Sequence, residues 1–282
     1  MSLFDLPAID AIVAAAVAED VGRGDLTTQL TVADDVRGRA DIIAKQSGIL
    51  AGLPLVAKVY ACVSGARTVV EPRLRDGASF VAGTRIASLF GGAADLLTGE
   101  RVALNFLQHL SGIATLTHRF VAAVASTRAR IVDTRKTVPG LRLLEKYAVR
   151  MGGGHNHRLG LDDGILIKNN HLTAAGGVGP AIARARQGAP HTVKIEVECA
   201  SLGEVDEALD AGADLILLDN MQPAQLAAAV TRIGGRALTE ASGGVNLDTV
   251  REIAASGVDL ISVGALTHSA PAIDLHMRMS LV

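Results

Sequence analysis

The feature that most constrains the fold is a repeat in the second half of the chain, where short β-rich runs alternate with amphipathic stretches. Four of these runs start 22 residues apart, at positions 193, 215, 237 and 259, which is the length of one strand plus one helix. Strands that alternate with helices run parallel and curl towards a barrel. The predicted strands are Arg130–Thr134, Ile165–Asn169, Val193–Glu198, Leu215–Asn220, Ala237–Ala241 and Asp259–Gly264. Six strands rather than eight predict an incomplete β/α barrel.

The first hundred residues show a different pattern. A helix over Pro7–Asp20 precedes β-like runs at Gly38–Lys45, Arg67–Pro72 and Arg85–Leu89, which are separated by turn signals. This pattern predicts an α+β sandwich with mostly antiparallel strands, linked to the barrel by a long helix over Gly99–Val124. We therefore predict an α/β protein with an N-terminal α+β domain over 1–112, a catalytic six-stranded barrel over 113–266, and a segment 267–282 that is a candidate to pack back on the first domain.

Composition indicates a small-molecule partner. Of the 282 residues, 49% are hydrophobic, which is enough for a sizeable core. Five Phe, two Tyr and no Trp provide no stacking platform for single-stranded nucleic acid, and a net charge of −2 gives no field that attracts DNA or an anionic membrane. We expect neither nucleic acid nor membrane as a partner.

The cysteines and the N-terminus indicate a cytoplasmic protein. Cys62 and Cys199 form no pair motif, so we expect both to be small buried residues in a reducing compartment. Asp5 and Asp10 precede the first apolar run, which is the opposite of the charge order in a signal peptide. No run of eighteen apolar residues occurs.

Basic residues are concentrated between Arg128 and Lys168. This segment holds nine Lys and Arg against four Asp and Glu, so it carries +5 while the rest of the chain carries −7. A basic pocket in an acidic body attracts a small polyanion. Arg142, Lys146 and Arg150, four residues apart, predict a solvated helix face.

Other cationic residues lie at the carboxyl ends of predicted strands, where barrel enzymes have their active sites. Arg135 and Lys136 follow one predicted strand, and Lys168 ends another. Side chains at the carboxyl ends of barrel strands converge on the active site. We therefore predict that Arg135, Lys136, Arg158 and Lys168 form a binding site for an anion.

Acidic side chains are also predicted to point into the barrel. Lys194, Glu196 and Glu198 alternate with apolar residues, so the three charges share the face that lines the barrel. Buried charges need partners, and Lys168 is a candidate. Asp219 ends the next strand and forms a carboxylate pair with Glu198, suited to a metal-bound water or a sugar hydroxyl. A structural ion-pair network is the alternative.

Glycine-rich loops follow the last two strands. Ser242-Gly243-Gly244 and Gly264-Ala265 can expose backbone N–H groups at the usual phosphate site of a barrel. His155, His157 and His171 suggest zinc, but neighbouring Arg158 and Lys168 would repel the ion, so we expect His157 to donate a hydrogen bond to an anion instead.

Long motifs carry a family resemblance. Residues 133–142 (DTRKTVPGLR), 145–149 (EKYAV) and 152–161 (GGGHNHRLGL) closely resemble the quinolinate phosphoribosyltransferases, also called carboxylating nicotinate-nucleotide pyrophosphorylases. Further motifs, from Glu19-Asp20 through LTGER at 97–101 to VGALTH at 263–268, extend the resemblance over nearly the whole chain.

The resemblance implies a reaction and its residues. Quinolinate and phosphoribosyl pyrophosphate would give nicotinate mononucleotide, pyrophosphate and CO2, with Mg²⁺, in de novo NAD biosynthesis. The family's quinolinate contacts correspond to Arg135, His157, Arg158 and Lys168, with Arg101 from the other subunit of a homodimer. Its phosphoribosyl pyrophosphate contacts correspond to Lys136, Lys168, Glu198, Asp219, Ser242, Gly243 and Gly264. Lys136, Lys168, Glu198 and Asp219 would be catalytic, and Glu198 and Asp219 would hold the metal.

Departures and rival functions are few. Asn169 stands where the family often has an acid, and Ala241 replaces a common serine. The alternatives are a related family of molybdenum-transport operons, a lyase that forms a Schiff base on Lys168 or Lys194, and a non-catalytic phosphosugar sensor. Asn156-His157-Arg158 and Ile167-Lys168 argue against the first, because its members tend to lose these segments.

Overall fold

The computed structural model describes residues 2–65 and 67–282. The chain forms two compact units. The first unit comprises Met1–Leu116, Val138–Gly153 and Ser269–Val282, and the barrel unit comprises Thr117–Thr137 and Gly154–His268. The domain boundaries predicted from the sequence, after residues 112 and 266, stay a prediction.

The first unit is an α+β layer. After a short 3-10 helix (Leu3–Asp5), its elements are α1 (Pro7–Val21), α2 (Leu26–Thr31), β1 (Arg37–Ala44), β2 (Gly48–Ile49), α3 (Leu53–Ser64), β3 (Val69–Pro72), β4 (Ser79–Phe80), β5 (Arg85–Gly92), α4 (Ala93–Val124, which extends into the barrel unit), α5 (Arg142–Met151) and β12 (Leu275–Leu281). β12, β1, β5 and β3 form, in that order, an antiparallel sheet, and β2 pairs with β4.

Alternation explains why β1 is a strand. Every second residue is buried, including Ala40, Ile42 and Ala44, so one face of the strand contributes to the core. β12 pairs antiparallel with β1 from Leu275 to Leu281. The antiparallel layer predicted from the sequence is confirmed.

The barrel unit is built on six parallel strands in the order β6, β11, β10, β9, β8, β7. Its elements are β6 (Arg130–Val132), β7 (Ile165–Ile167), α6 (Asn169–Ala175), α7 (Val178–Gly188), β8 (Ile195–Cys199), α8 (Leu202–Asp210), β9 (Leu215–Asp219), α9 (Pro223–Ile233), β10 (Leu238–Ser242), α10 (Val250–Ala255), β11 (Leu260–Ser262) and α11 (Ala265–His268). Among the described residues no strand ladder joins β6 to β7, so the predicted incomplete barrel is confirmed.

A short segment lies along the outer edge of β6. His155 forms a parallel bridge with Val132, donating its backbone N–H to Ile131 O at 2.9 Å, and its carbonyl accepts the N–H of Asp133 at 3.1 Å. This edge of the sheet is thereby hydrogen-bonded by a stretch that is not itself a strand.

Three residues depart from the burial predicted for them. Lys146 is buried and Arg142 is half-buried, so only Arg150 fits the predicted solvated face. Helix α5 is too deeply packed for a charge at every fourth residue to reach solvent. Cys199 is buried as expected, whereas Cys62 is exposed on α3. No helix in residues 2–65 and 67–282 is both long and apolar enough to span a bilayer.

Candidate active site

The carboxyl ends of the parallel strands surround a cavity of about 800 Å³ within the barrel unit. Apart from Arg101, every site residue predicted from the sequence lines it: Arg135, Lys136, His157, Arg158, Lys168, Glu198, Asp219, Ser242, Gly243 and Gly264. Arg101 is an exposed residue of α4 in the first unit. Asn220 and His268 also line the cavity, although the sequence did not single them out as site residues.

Lys168 and Glu198 form an ion pair at the cavity. Lys168 follows β7, and its Nζ lies 3.1 Å from Oε2 of Glu198, a buried residue of β8. Lys168 is thus a partner for a lumen-facing carboxylate, as predicted. Lys194 departs from the prediction, because it precedes β8 and is exposed.

Strand register brings Glu198 and Asp219 to the same face. Glu198 pairs with Leu217 of β9, and Asp219 lies two residues further along that strand. Because side chains two residues apart point the same way, both carboxylates face the lumen. Asp219 is half-buried and accepts a hydrogen bond from Asn220 Nδ2 at 2.9 Å.

The glycine loops come close to the charged side chains. Gly243 has φ +94°, and a Cβ atom there would overlap the side-chain oxygen of Asn220. A Cβ atom on Gly264 would lie 2.9 Å from Cδ of Lys136. Gly243 therefore needs a residue without a side chain, whereas a Cβ atom at Gly264 would require the Lys136 side chain to shift. At both positions the absence of a side chain leaves the backbone accessible to a ligand.

Two of the cationic residues are held by hydrogen bonds, Lys136 through its backbone carbonyl and Arg158 through its guanidinium group. Thr267 donates its hydroxyl to the carbonyl of Lys136 at 2.7 Å, and Arg158 donates from Nη1 to Gly164 O at 3.0 Å. Burial, and then the positive charge of Arg135, lower the pKa of Arg158. The guanidinium of Arg158 stays charged, so Arg135 and Arg158 repel each other. An anion that binds between them relieves this repulsion, which favours its binding.

Asp133 anchors the segment that carries His157 and Arg158. This fully buried carboxylate follows β6 and accepts hydrogen bonds from His157 N–H at 2.8 Å and from Asn156 Nδ2 at 2.6 Å. No role for Asp133 was predicted from the sequence, because its two partners lie more than twenty residues away along the chain.

The imidazole of His157 points to two further carboxylates. Its Nε2 lies 3.0 Å from Glu196 Oε2 and 3.8 Å from Glu240 Oε1. Burial, followed by the negative charge of Glu196, raises the pKa of Glu240 to about 7. His171 instead caps α6, accepting Lys168 N–H at 2.9 Å, so the described residues do not group the three histidines as zinc would require.

Cationic side chains, two carboxylates and glycine loops thus lie together at the strand ends of an incomplete β/α barrel. This arrangement is typical of enzymes that act on small phosphorylated anions. Models of the N-terminal and C-terminal domains of quinolinate phosphoribosyl transferase match residues 25–111 and 113–278. The chain belongs to the quinolinate phosphoribosyltransferase family, whose members are pentosyltransferases.

Individual relatives agree with this assignment. The chain is 44% identical to a probable nicotinate-nucleotide pyrophosphorylase (carboxylating) of Synechocystis, over 93% of this chain and 90% of that one. It is 44% identical to the enzyme of that name from Mycobacterium leprae, over 94% of both chains. The crystal structure of NadC from Streptococcus pyogenes superposes with a TM-score of 0.94 at 41% identity, covering 100% of this chain and 99% of that one.

Proposed function

We propose that this protein transfers the phosphoribosyl group of phosphoribosyl pyrophosphate to quinolinate and releases pyrophosphate and CO2, which gives nicotinate mononucleotide. One observation carries the proposal beyond family membership. A single cavity is lined by Arg135, Arg158 and Lys168, by the glycine loops, and by Glu198 and Asp219. It therefore offers a cationic site for a dicarboxylate next to a backbone site for phosphate.

Quinolinate binds at the cationic wall. Arg135 and Arg158 provide planar forks for its two carboxylates, and each charge-assisted hydrogen bond contributes roughly 1.5–3 kcal/mol. Lys168 adds an ammonium group. His157 lies beside them, although Glu196 already accepts its Nε2–H. Arg101 reaches this wall from a second copy of the chain, which makes a homodimer the functional unit.

The phosphoribosyl donor binds at the loops after β10 and β11. Backbone N–H groups of Gly243 and Gly264, the Ser242 hydroxyl and the Lys136 ammonium hold its phosphates. Glu198 and Asp219 hydrogen-bond the ribose hydroxyls and stabilise the positive charge that develops on the ribose as pyrophosphate leaves.

Mg²⁺ fits the same two carboxylates. Glu198 and Asp219 face one lumen and offer oxygen atoms, which are the ligands that this ion prefers. When bound, Mg²⁺ neutralises the negative charge of the pyrophosphate group. Lys168 holds Glu198 in place through their ion pair, and Asn220 does the same for Asp219.

Decarboxylation follows from the new bond. The ring nitrogen attacks C1 of the ribose, and the resulting pyridinium accepts the electron pair left when the adjacent carboxylate departs as CO2. Lys168 donates the proton that takes its place on the ring carbon. We place this reaction in de novo NAD biosynthesis, and the cytoplasmic location stays a prediction.

The decisive experiment combines quinolinate, phosphoribosyl pyrophosphate and Mg²⁺ with the purified protein and measures CO2 and pyrophosphate together. We expect the two products in equal amounts and none without Mg²⁺. Binding of the sugar phosphate without release of pyrophosphate would indicate the sensor, and trapping of a substrate by borohydride would indicate the Schiff-base lyase.

A further inference from the structure

Two carboxylates beside His157 are not used by the chemistry above. Glu240 lines the active-site cavity, and Glu196 lines a second cavity of about 550 Å³, which shares His157, Arg158 and Glu240 with the first. Glu196 and Glu240 are 5% and 1% exposed. In the described part of the chain, Oε1 of each has no hydrogen-bond partner. Buried negative charge beside a site for a dianion disfavours binding, so a structural reason for these residues is needed.

A metal ion is one candidate occupant, because ligand atoms of His157, Glu196 and Glu240 all lie within 4.8 Å of one another. The tautomer of the histidine argues against it. Nδ1 of His157 accepts the backbone N–H of Arg158 at 2.7 Å, so the proton of the neutral ring is on Nε2. A metal on Nε2 would need that proton on Nδ1, where it would face the N–H of Arg158.

The ring therefore acts as a hydrogen-bond bridge. Its Nε2–H donates to Oε2 of Glu196 at 3.0 Å, and its Nδ1 accepts from Arg158 N–H. The distances select Glu196 over Glu240 as the acceptor, because Oε1 of Glu240 lies 3.8 Å from Nε2, beyond hydrogen-bonding distance. A continuous path of two hydrogen bonds thus leads from Glu196 to the backbone of Arg158.

We propose that Glu196 is a positioning residue that acts on Arg158 through the imidazole of His157. Glu196 fixes the ring, the ring fixes the N–H of Arg158, and Asp133 fixes the N–H of His157. The guanidinium of Arg158 is then directed to the carboxylate of the substrate without a search among backbone conformations. This inference rests on the proposed function only in taking Arg158 as a quinolinate contact.

The test compares two neutral replacements of Glu196. Glu196→Leu removes the acceptor, whereas Glu196→Gln removes the charge and keeps an acceptor oxygen. We expect Glu196→Leu to raise KM for quinolinate about tenfold, as the loss of one charge-assisted hydrogen bond implies, with KM for phosphoribosyl pyrophosphate little changed. Glu196→Gln should raise KM for quinolinate much less, because the acceptor oxygen is still present. Glu207→Gln, on the exposed face of α8, is the matched control.

A spectroscopic measurement on the unmodified protein keeps the test independent of folding defects in the variants. In protein labelled with 15N-histidine, His157, identified through His157→Gln, should show the Nε2–H tautomer. The Nδ1–H tautomer or an imidazolium would overturn the proposal. Equal KM values for Glu196→Leu and Glu196→Gln would also overturn it, as would Mn²⁺ binding that Glu196→Leu abolishes and Glu198→Gln spares. If the wild-type protein releases no CO2 from quinolinate, the proposed function is wrong. The tautomer of His157 still tests the hydrogen-bond bridge between Glu196 and Arg158 in that case.

Discussion

Asn220 and Gly243 approach each other so closely that a Cβ atom on the glycine would overlap the side-chain oxygen of the asparagine. Asn220 has the only positive φ among non-glycine residues of the described chain, at 53°. Its N–H donates to Ser242 O at 2.9 Å and its side chain to Asp219. The contact therefore joins the proposed phosphate loop to the proposed metal-binding carboxylate.

Gly243→Ala should impair use of the phosphoribosyl donor. The new methyl group must displace Asn220, and we expect KM for phosphoribosyl pyrophosphate to rise by about tenfold or more in steady-state assays. Gly244→Ala is the matched control, because Gly244 also has positive φ, +62°, but open space around its Cβ position. Equal effects of the two variants would show that backbone strain, and not the contact, matters.

Arg158→Ala and Arg135→Ala should each weaken transition-state binding of quinolinate by roughly 2–5 kcal/mol in kcat/KM, because each leaves a buried carboxylate of the substrate without its fork. Arg158→Lys should recover only part of the loss, since an ammonium group cannot bind a carboxylate with two parallel bonds. Arg184→Ala, an exposed arginine of α7, serves as the control. Near-normal kinetics in either alanine variant would contradict the assignment of that arginine to a carboxylate of quinolinate.

Arg101→Ala and Lys168→Ala test the proposal that two copies of the chain share an active site. Each variant alone should be nearly inactive, but a mixture should regain activity because a hybrid dimer contains one site with both residues intact. Activity is measured after subunit exchange, with heterodimers detected by differently tagged chains. Heterodimers that form without any gain in activity would contradict a shared site.

Glu240 should make stability depend on pH. Its folded pKa of about 7 lies above the ordinary value of 4.5 for a glutamate, so the folded state binds the proton more tightly than the unfolded chain does. This contribution is complete below about pH 4.5 and is lost as the pH rises to about 7, by up to about 3 kcal/mol. In urea titrations, Glu240→Gln should therefore gain stability relative to wild type across this window. Parallel curves would contradict the assignment.

Sequence predicted what depends on local pattern and missed what depends on distant partners. The repeat located all six barrel strands, and strand ends located Lys168, Glu198 and Asp219, because period and position suffice there. Asp133 and Glu240 gained their roles only from residues brought close by the fold. β12 was not predicted because Leu275–Leu281 contains no β-branched residue, and the segment is a strand mainly because β1 offers it an edge.

The bridge between His155 and Val132 has a consequence for solubility. An uncovered edge strand is a template on which other chains can add, and β6 would be one without this segment. The segment continues through Asn156 to His157 and Arg158, and the guanidinium of Arg158 donates to the carbonyl of Gly164, just before β7 at the opposite edge. Deletions that remove the proposed quinolinate contacts His157 and Arg158 together with His155 would therefore also expose a sheet edge and promote aggregation, so loss of activity and loss of soluble protein would occur together.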